Sequence, residues 1–322
     1  MLLTPSAEEA GDTPYLDRLA GMEFRPVFVI GPHRSGTTIL CRVLMESGCF
    51  NLISVYHLMY RRRLLRLHYE GLEEQARREL EQLFASRGLE DREIDSMKVT
   101  PDLPEEYCYA LEPPVRRPIL TPGNLPGFLE FCKKVQAVQD SSRPLLLKNP
   151  YDTVNFLYLR RTFPQARFVF IHRNPVDTVN SQVKAVASLL KSKNEYVALL
   201  LERYRATWAN PVKQKLGQWF YSENGPILVN SVIRHISRNC DYILENLEAL
   251  GPSAMGVSYP QLCQEPAETA RALLDFLGLE ARRPADYAGL IQPREAKLLA
   301  SVAQRRDRIL EQNAAYCRRF QV

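Results

Sequence analysis

The stretch FVIGPHRSGTTIL, residues 28 to 40, runs from an apolar segment through a loop of small residues bearing one arginine and straight into a helical pattern. Within Gly31-Pro32-His33-Arg34-Ser35-Gly36-Thr37-Thr38 a strand ends, the backbone turns tightly, and a helix is predicted to begin at Ser35 or Gly36. Successive backbone N–H groups at such a helix start, backed by the positive end of the helix dipole, bind phosphate or sulfate without help from a side chain. Arg34 adds charge, and the hydroxyls of Thr37 and Thr38 add donors. Taken alone, the same residues also describe an ordinary βα turn with a surface arginine.

The loop nearly fits the nucleotide-binding pattern G-x4-G-K-[ST], and the misfit is informative. Thr37 stands where that pattern has lysine, so the residue that reaches the terminal phosphates in kinases and ATPases is missing. The basic residue has moved ahead of the glycine, to Arg34. No later strand ends in an acid able to hold magnesium, since ARFVFIH (166 to 172) runs into Arg173. A metal-dependent phosphoryl transferase is therefore disfavoured.

Working outward, FRPVFVIG (24 to 31), PLLLK (144 to 148), ARFVFIH and AMGVSY (254 to 259) are short apolar runs bounded by polar or turn residues, the pattern of buried parallel strands. Helical patterns lie between them at Thr37 to Met45, Asp152 to Thr162, Pro175 to Lys191, Asn230 to Leu250 and Pro266 to Leu277. The alternation predicts an α/β fold, a central parallel β-sheet flanked by helices with a P-loop-like anion-binding loop. Residues 1–23 are expected to form a flexible arm ahead of one domain at 24–322. A largely helical insertion at about 50–140 separates the first two strands, and its segment 105–135 mixes aromatics, prolines and cations suited to an acceptor pocket.

Composition narrows the partners. A chain of 322 residues with 45% hydrophobic content can bury a sizeable core. Its 42 Lys and Arg against 37 Asp and Glu give a net charge of +5 spread along the sequence. That suits an anionic small molecule better than a nucleic-acid duplex. No run approaches the roughly 18 apolar residues of a membrane span, and the N-terminus has no signal-like pattern. Seven cysteines without C-x-x-C pairs or metal-ligand spacing fit reduced thiols, so a cytoplasmic protein is expected.

Pro32-His33-Arg34-Ser35-Gly36-Thr37-Thr38 resembles the phosphosulfate loop of the PAPS-dependent sulfotransferase superfamily, approximately P-x-[RK]-S-G-T-T. RFVFIHRNPVDTVNSQ (167 to 182) is similar to its second signature, a strand leading to an arginine with a serine eight residues on. The resemblance implies that Arg173 and Ser181 hold the 3'-phosphate of PAPS. LLLKNPYDTV (145 to 154) looks like the K-[DN]-P segment of the tyrosylprotein and carbohydrate branches, and implies that Lys148 stabilises charge on the transferring sulfuryl group. SYPQLCQEPAETARALLDFLGL (258 to 279) resembles the late strand-loop-helix segment, where Tyr259 would lie against adenine; Pro260 departs from the usual glutamate.

The residues support these assignments on their own terms. Asn174-Pro175-Val176-Asp177 is a helix start with a cap residue, a proline at the first helical position and an acid in the first turn. Arg173 at its edge can grip a phosphate with two parallel hydrogen bonds. Ser181 follows one turn beyond Asp177 on the same face, and a lysine ending a parallel strand points into the crevice where such sheets bind ligands. The expected function is transfer of a sulfuryl group from PAPS to a hydroxyl of a small-molecule acceptor, releasing PAP with no metal. The alternatives are a P-loop small-molecule kinase and a non-catalytic nucleotide-binding protein. Two sets of residues compete for the general base: His57, whose imidazole titrates near neutrality, and the acids Glu105 and Glu106 of the turn LPEEY.

Overall fold

A computed structural model describes residues 11–93, 97–111, 118–223, 225–287, 289–291 and 297–322. The chain opens with a 3-10 turn (Thr13–Leu19), then β1 (Pro26–Ile30), α1 (Thr37–Glu46), β2 (Asn51–Leu52) and α2 (Val55–Met59). There follow α3 (Leu64–Tyr69), α4 (Glu73–Ser86), α5 (Leu125–Ala137), β3 (Leu145–Lys148), α6 (Phe156–Thr162), β4 (Arg167–His172) and α7 (Pro175–Lys191). The rest is α8 (Glu195–Leu200), α9 (Glu202–Trp208), α10 (Pro211–Phe220), α11 (Pro226–Asn246), β5 (Ala254–Ser258), α12 (Tyr259–Gln264), α13 (Pro266–Leu277), α14 (Ala300–Ala303), α15 (Arg306–Gln312) and α16 (Ala314–Phe320).

The five strands form one parallel sheet in the order β2-β3-β1-β4-β5. From β1 the chain first builds one flank, β2 and β3, and then crosses to the other, β4 and β5. The C-terminal end of β1 is thus the point where the winding reverses, and open α/β sheets bind ligands in the crevice at that point. Register aligns the ends: Val29 faces Lys148, Ile30 faces Phe170 and His172 faces Ser258.

Both faces of the sheet are covered, which is why its strands read as unbroken apolar runs. Phe28, Ile30, Leu145, Leu147, Phe168 and Phe170 enter the larger core, shared with α5, α7, α11 and the insertion. Val27, Val29, Leu146, Val169, Ile171 and Val257 enter the other, packed on Leu40, Val43 and Leu44 of α1 and Leu273 and Leu274 of α13. Burial of one such side chain contributes about 1.5–3 kcal/mol.

Three expectations need correction. Residues 12–23 are not a free arm: Asp12 is buried in an ion pair with Lys134 at 2.9 Å, Tyr15 stacks on Tyr69, and Leu19 enters the core. Residues 1–10 of that expected arm lie outside the described residues. The helix expected over 152–162 is a 3-10 turn (Pro150–Val154) followed by α6, because Pro150 and the Asn149 side chain, which accepts from the Tyr151 N–H, set a turn of their own. A short fifth strand, β2, pairs on the far edge of β3.

Candidate active site

The loop after β1 is tightly turned. The Ser35 N–H donates to the Pro32 carbonyl at 3.1 Å, Gly36 caps α1 in the left-handed region at φ 107, and Arg34 is left-handed too, at φ 69. Glycine takes that conformation freely, and it is needed for a second reason: a Cβ on Gly36 would meet the Tyr259 ring at 2.5 Å. For Arg34 the conformation costs about 1–2 kcal/mol. Alternating left- and right-handed residues turn successive N–H groups toward one side, the geometry of an anion nest.

Side chains from the ends of β4 and β5 close around this nest. Arg173, directly after β4, donates through Nη1 to the Arg34 carbonyl at 3.1 Å and lies over the Tyr259 ring at 4.2 Å. Arg34 Nε donates to Ser181 Oγ at 3.1 Å, and Ser181 stands on α7, whose start is fixed by the Asn174 side chain accepting from the Val176 N–H. Pro32, Arg34, Ser35, Gly36, Arg173, Ser181 and Tyr259 are therefore one constellation.

The opposite flank carries the candidate chemistry. Lys148, the last residue of β3, donates to Thr38 Oγ1 at 3.1 Å and forms an ion pair with Glu106 at 3.3 Å. Only about a tenth of each side chain is exposed, 10% and 13%. Burial pushes the Glu106 carboxyl up, but Lys148, with His33 and Arg92 behind it, outweighs burial and holds the group below its ordinary value. Burial likewise pulls Lys148 down, and Glu106 together with Cys41 and Glu105 more than restores it, so the lysine is raised. Both shifts describe the same ionised pair.

His33 completes this end. Its ring meets Tyr151 edge-on at 4.5 Å, and burial pulls its imidazole down to about 4, partly offset by Glu106. It is a neutral ring at physiological pH. His235 of α11 is near enough for its charge to act on His33.

The two sets of candidate bases are not equivalent. His57 is buried and serves its own helix: the Ser54 backbone N–H donates to His57 Nδ1 at 3.0 Å in a capping box. An N–H cannot accept, so Nδ1 must be the acceptor and Nε2 must carry the proton. Burial pulls this imidazole down to about 3, with the charge of Arg77 adding to the effect. Its recorded neighbours are Ser54, Tyr56 and Arg77, and none belongs to the loop or to β3. His57 is thus engaged in the cap of α2, and none of these contacts joins it to Lys148 or the loop.

Glu105 is adjacent to the site and fully committed. Its side chain has no exposed surface, pairs with Arg92 at 3.3 Å and accepts from the Tyr196 hydroxyl. Burial pushes its carboxyl up in spite of these partners. Of the acids and imidazole proposed as base, Glu106 alone meets Lys148.

Three buried polar atoms around the nest have no partner among the described residues: Arg173 Nε, Ser35 Oγ and His33 Nε2. A buried donor left unpaired costs about 1–3 kcal/mol. An anion with several oxygens would satisfy them, and a phosphosulfate nucleotide fits that requirement. Sequence reasoning missed Tyr151, His235 and Arg92, whose parts depend on contacts across the fold and leave no local signal. It also missed Arg42, four residues beyond Thr38, which helical spacing did place on the same face.

An α/β protein with an anion nest at the reversal of its sheet, lacking the P-loop lysine and carrying cations on two flanking strands, belongs to the class that binds phosphorylated nucleotides by their oxygens. A model of the sulfotransferase family matches residues 26–228, more than half of the chain, and the protein belongs to that family. It is a PAPS-dependent enzyme of sulfuryl transfer, so the kinase and non-catalytic alternatives fall away. The fold is similar to that of sulfotransferase STF9 from Mycobacterium avium, with a TM-score of 0.63 at 15% identity over 97% of this chain and 80% of that one. It is also similar to sulfotransferase STF1 from Mycobacterium tuberculosis H37Rv, with a TM-score of 0.57 at 17% identity over 94% and 80%. No curated protein sequence matches the chain. No helix among the described residues is long and apolar enough to cross a membrane.

Proposed function

We propose that residues 32–38 with Arg173, Ser181 and Tyr259 hold PAPS, and that Lys148 and Glu106 act on the transfer of its sulfuryl group to an acceptor hydroxyl. The observation that carries this reading is the chain of contacts from Glu106 through Lys148 to Thr38 at the nest, 3.3 and 3.1 Å long. PAPS supplies a sulfuryl group on a phosphate leaving group: the acceptor oxygen forms a new bond to sulfur as the bridging S–O bond breaks, and the electron pair departs with PAP. Glu106 accepts the hydroxyl proton. Lys148 and Arg34 offer fixed positive charge where the leaving oxygen becomes negative, and need no reorganisation to do so. The Ser35 hydroxyl and the N–H groups at the start of α1 add donors, and Thr37 and Thr38 stand in the first turn behind them.

Recognition of the nucleotide falls to the other flank. Arg173 and Ser181 face the 3'-phosphate, which distinguishes PAP from ATP, and Tyr259 offers a ring face for adenine, its own face already covered by Arg173 on one side. The reading assigns charge stabilisation to these cations and includes no metal. A cytoplasmic location suits the seven cysteines, all present as thiols.

Calorimetry with PAP and ATP tests the donor assignment. PAP is expected to bind more tightly, and Arg173→Ala to narrow the gap by the roughly 1.5–3 kcal/mol of a charge-assisted hydrogen bond. Equal affinities, or tighter ATP binding that requires magnesium, would overturn it.

A further inference from the structure

A cleft opens on the acceptor side of Lys148, between one face of α1 and the β2–β3 edge, with the insertion as its far wall. Its lining is mostly apolar: Cys41, Met45, Leu52, Ile53, Met97 and Leu146. Two cations stand in it, Lys148 and Arg42. The Pro104 and Glu105 turn closes one side, and Glu106 reaches the cleft through its ion pair with Lys148. The segment 112–117, which the sequence assigned to the acceptor wall, lies outside the described residues.

The charges here are accounted for with one exception. Lys148 is paired with Glu106, Arg92 with Glu105, and Arg283 with Glu46. Arg42 is half-buried, on the same face of α1 as Thr38, and has no ion pair or hydrogen bond among the described residues. A guanidinium partly withdrawn from water into an apolar wall is stabilised by an anion brought to it. One helical turn, about 5.4 Å of rise, separates it from Thr38, whose hydroxyl touches Lys148.

We infer that the acceptor is an amphiphilic alcohol: a hydroxyl that reaches Lys148 and Glu106, an apolar body against Met45, Ile53 and Leu146, and an anionic group that pairs with Arg42. The inference rests on the sulfotransferase reading of the same site. Nucleotide recognition lies toward β4 and β5 and this cleft toward β2 and β3, so the two ligands meet at Lys148 without competing. Arg42 is a specificity residue and leaves the chemistry to Glu106. A carboxylate and a phosphate monoester offer the same oxygens to a guanidinium, and the acceptor's own anion is one of the two.

The test compares, with PAPS as donor and product mass as readout, medium-chain alcohols, ω-hydroxy fatty acids and ω-hydroxyalkyl phosphates of equal length. Expected is at least a roughly tenfold higher kcat/KM for one anionic series than for the neutral alcohol, the size of one charge-assisted pair. Arg42→Gln should bring the ratio close to one, and Arg42→Glu should invert it in favour of amino alcohols. Preference for the carboxylate or for the phosphate identifies which anion the site reads. Thermal shift with PAP present provides a second readout, since anionic acceptors should raise the melting temperature of the PAP complex in the wild type and not in Arg42→Gln. Equal kcat/KM for neutral and anionic series, or a ratio unmoved by Arg42→Gln, would overturn the inference. PAP binding with no turnover and no thermal shift from any of these acceptors would sink it too, and would leave the donor assignment standing; failure to bind PAP would remove both.

Discussion

At the scale of single residues, the proposed roles of Lys148 and Glu106 predict how the enzyme should respond to pH. Glu106 is held below its ordinary 4.5, so it is ionised and able to accept a proton throughout the neutral range. The sign follows: a depressed carboxyl loses competence only as pH falls through its folded value. The acidic limb of kcat/KM should therefore lie below 4.5, with no inflection near 6.5 of the kind an imidazole base would impose. Lys148→Ala removes the charge that depresses Glu106 while leaving it buried, so the limb should move upward while kcat drops about a hundredfold or more. Glu106→Gln should cost roughly 10²–10⁴ in kcat with PAP still bound. His57→Ala should keep the pH profile and lose about 1 kcal/mol of stability with its cap. A His57 variant that lost turnover with normal folding, beside an active Glu106→Gln, would reverse the assignment.

At the scale of elements, Asp152 ties the insertion to the sheet. Its carboxylate, fully buried, accepts from the Tyr107 hydroxyl at 2.6 Å, the Leu120 N–H at 3.1 Å, Asn149 at 2.8 Å and Asn155 at 2.6 Å. The turn carrying Glu106 and the strand carrying Lys148 are thus fixed to one group between them. Asp152→Ala leaves the Tyr107 hydroxyl and the Leu120 N–H without their acceptor and takes one of two acceptors from each of Asn149 and Asn155, and should cost at least about 3 kcal/mol in denaturant unfolding. Burial pushes this carboxyl up from 3.8 to about 6, although its hydrogen bonds oppose the shift. The folded state then holds the proton more tightly than the unfolded one, so the contribution of Asp152 is full below about 3.8 and declines as pH rises through about 6. The stability difference between wild type and Asp152→Asn should narrow from pH 4 to 7, and a gap that widens would contradict the assignment.

Elements also show what a sequence discloses. The four long strands were legible because a sheet covered on both faces needs an apolar side chain at every position, and α7 because Asn174-Pro175-Val176-Asp177 writes its start in local chemistry. β2 was hidden because two residues carry no period. The pairing of Glu106 with Lys148 was invisible for a different reason. It joins the insertion to β3 across more than forty residues, and LPEEY marks both acids alike, although one faces Arg92 and the other the site. The near-neutral titration that made His57 a candidate base does not survive folding, because burial in the cap of α2 pulls its imidazole down to about 3.

At the scale of the molecule, the proposed donor site draws on the ends of β1, β3, β4 and β5, so a nucleotide held there would tie together strands from both sides of the sheet's centre. PAP at about a hundred times its Kd should stabilise the fold by roughly 2.7 kcal/mol. That corresponds to a rise of about 4 °C in melting temperature for a chain of 322 residues. Arg173→Ala should reduce the shift at equal PAP concentration. A melting temperature insensitive to PAP would mean that the strand ends are not its binding site.

The arrangement of the sheet also governs when the protein first becomes able to hold its donor during synthesis. Gly31 leaves the ribosome early and Tyr259 late, yet the Tyr259 ring is the surface on which Gly36 and Arg173 close. At about 5–20 residues per second, roughly 10–50 s separate the emergence of the nest from that of the residue that completes it. For the last part of that interval β1 already has both of its neighbours, β3 and β4, whereas β4 still lacks β5 and the nest lacks the ring against which it closes. A chain that ends before β5 is therefore expected to gain less stability from PAP than the whole chain does, because β4 keeps an open edge and Tyr259 is missing from the nest.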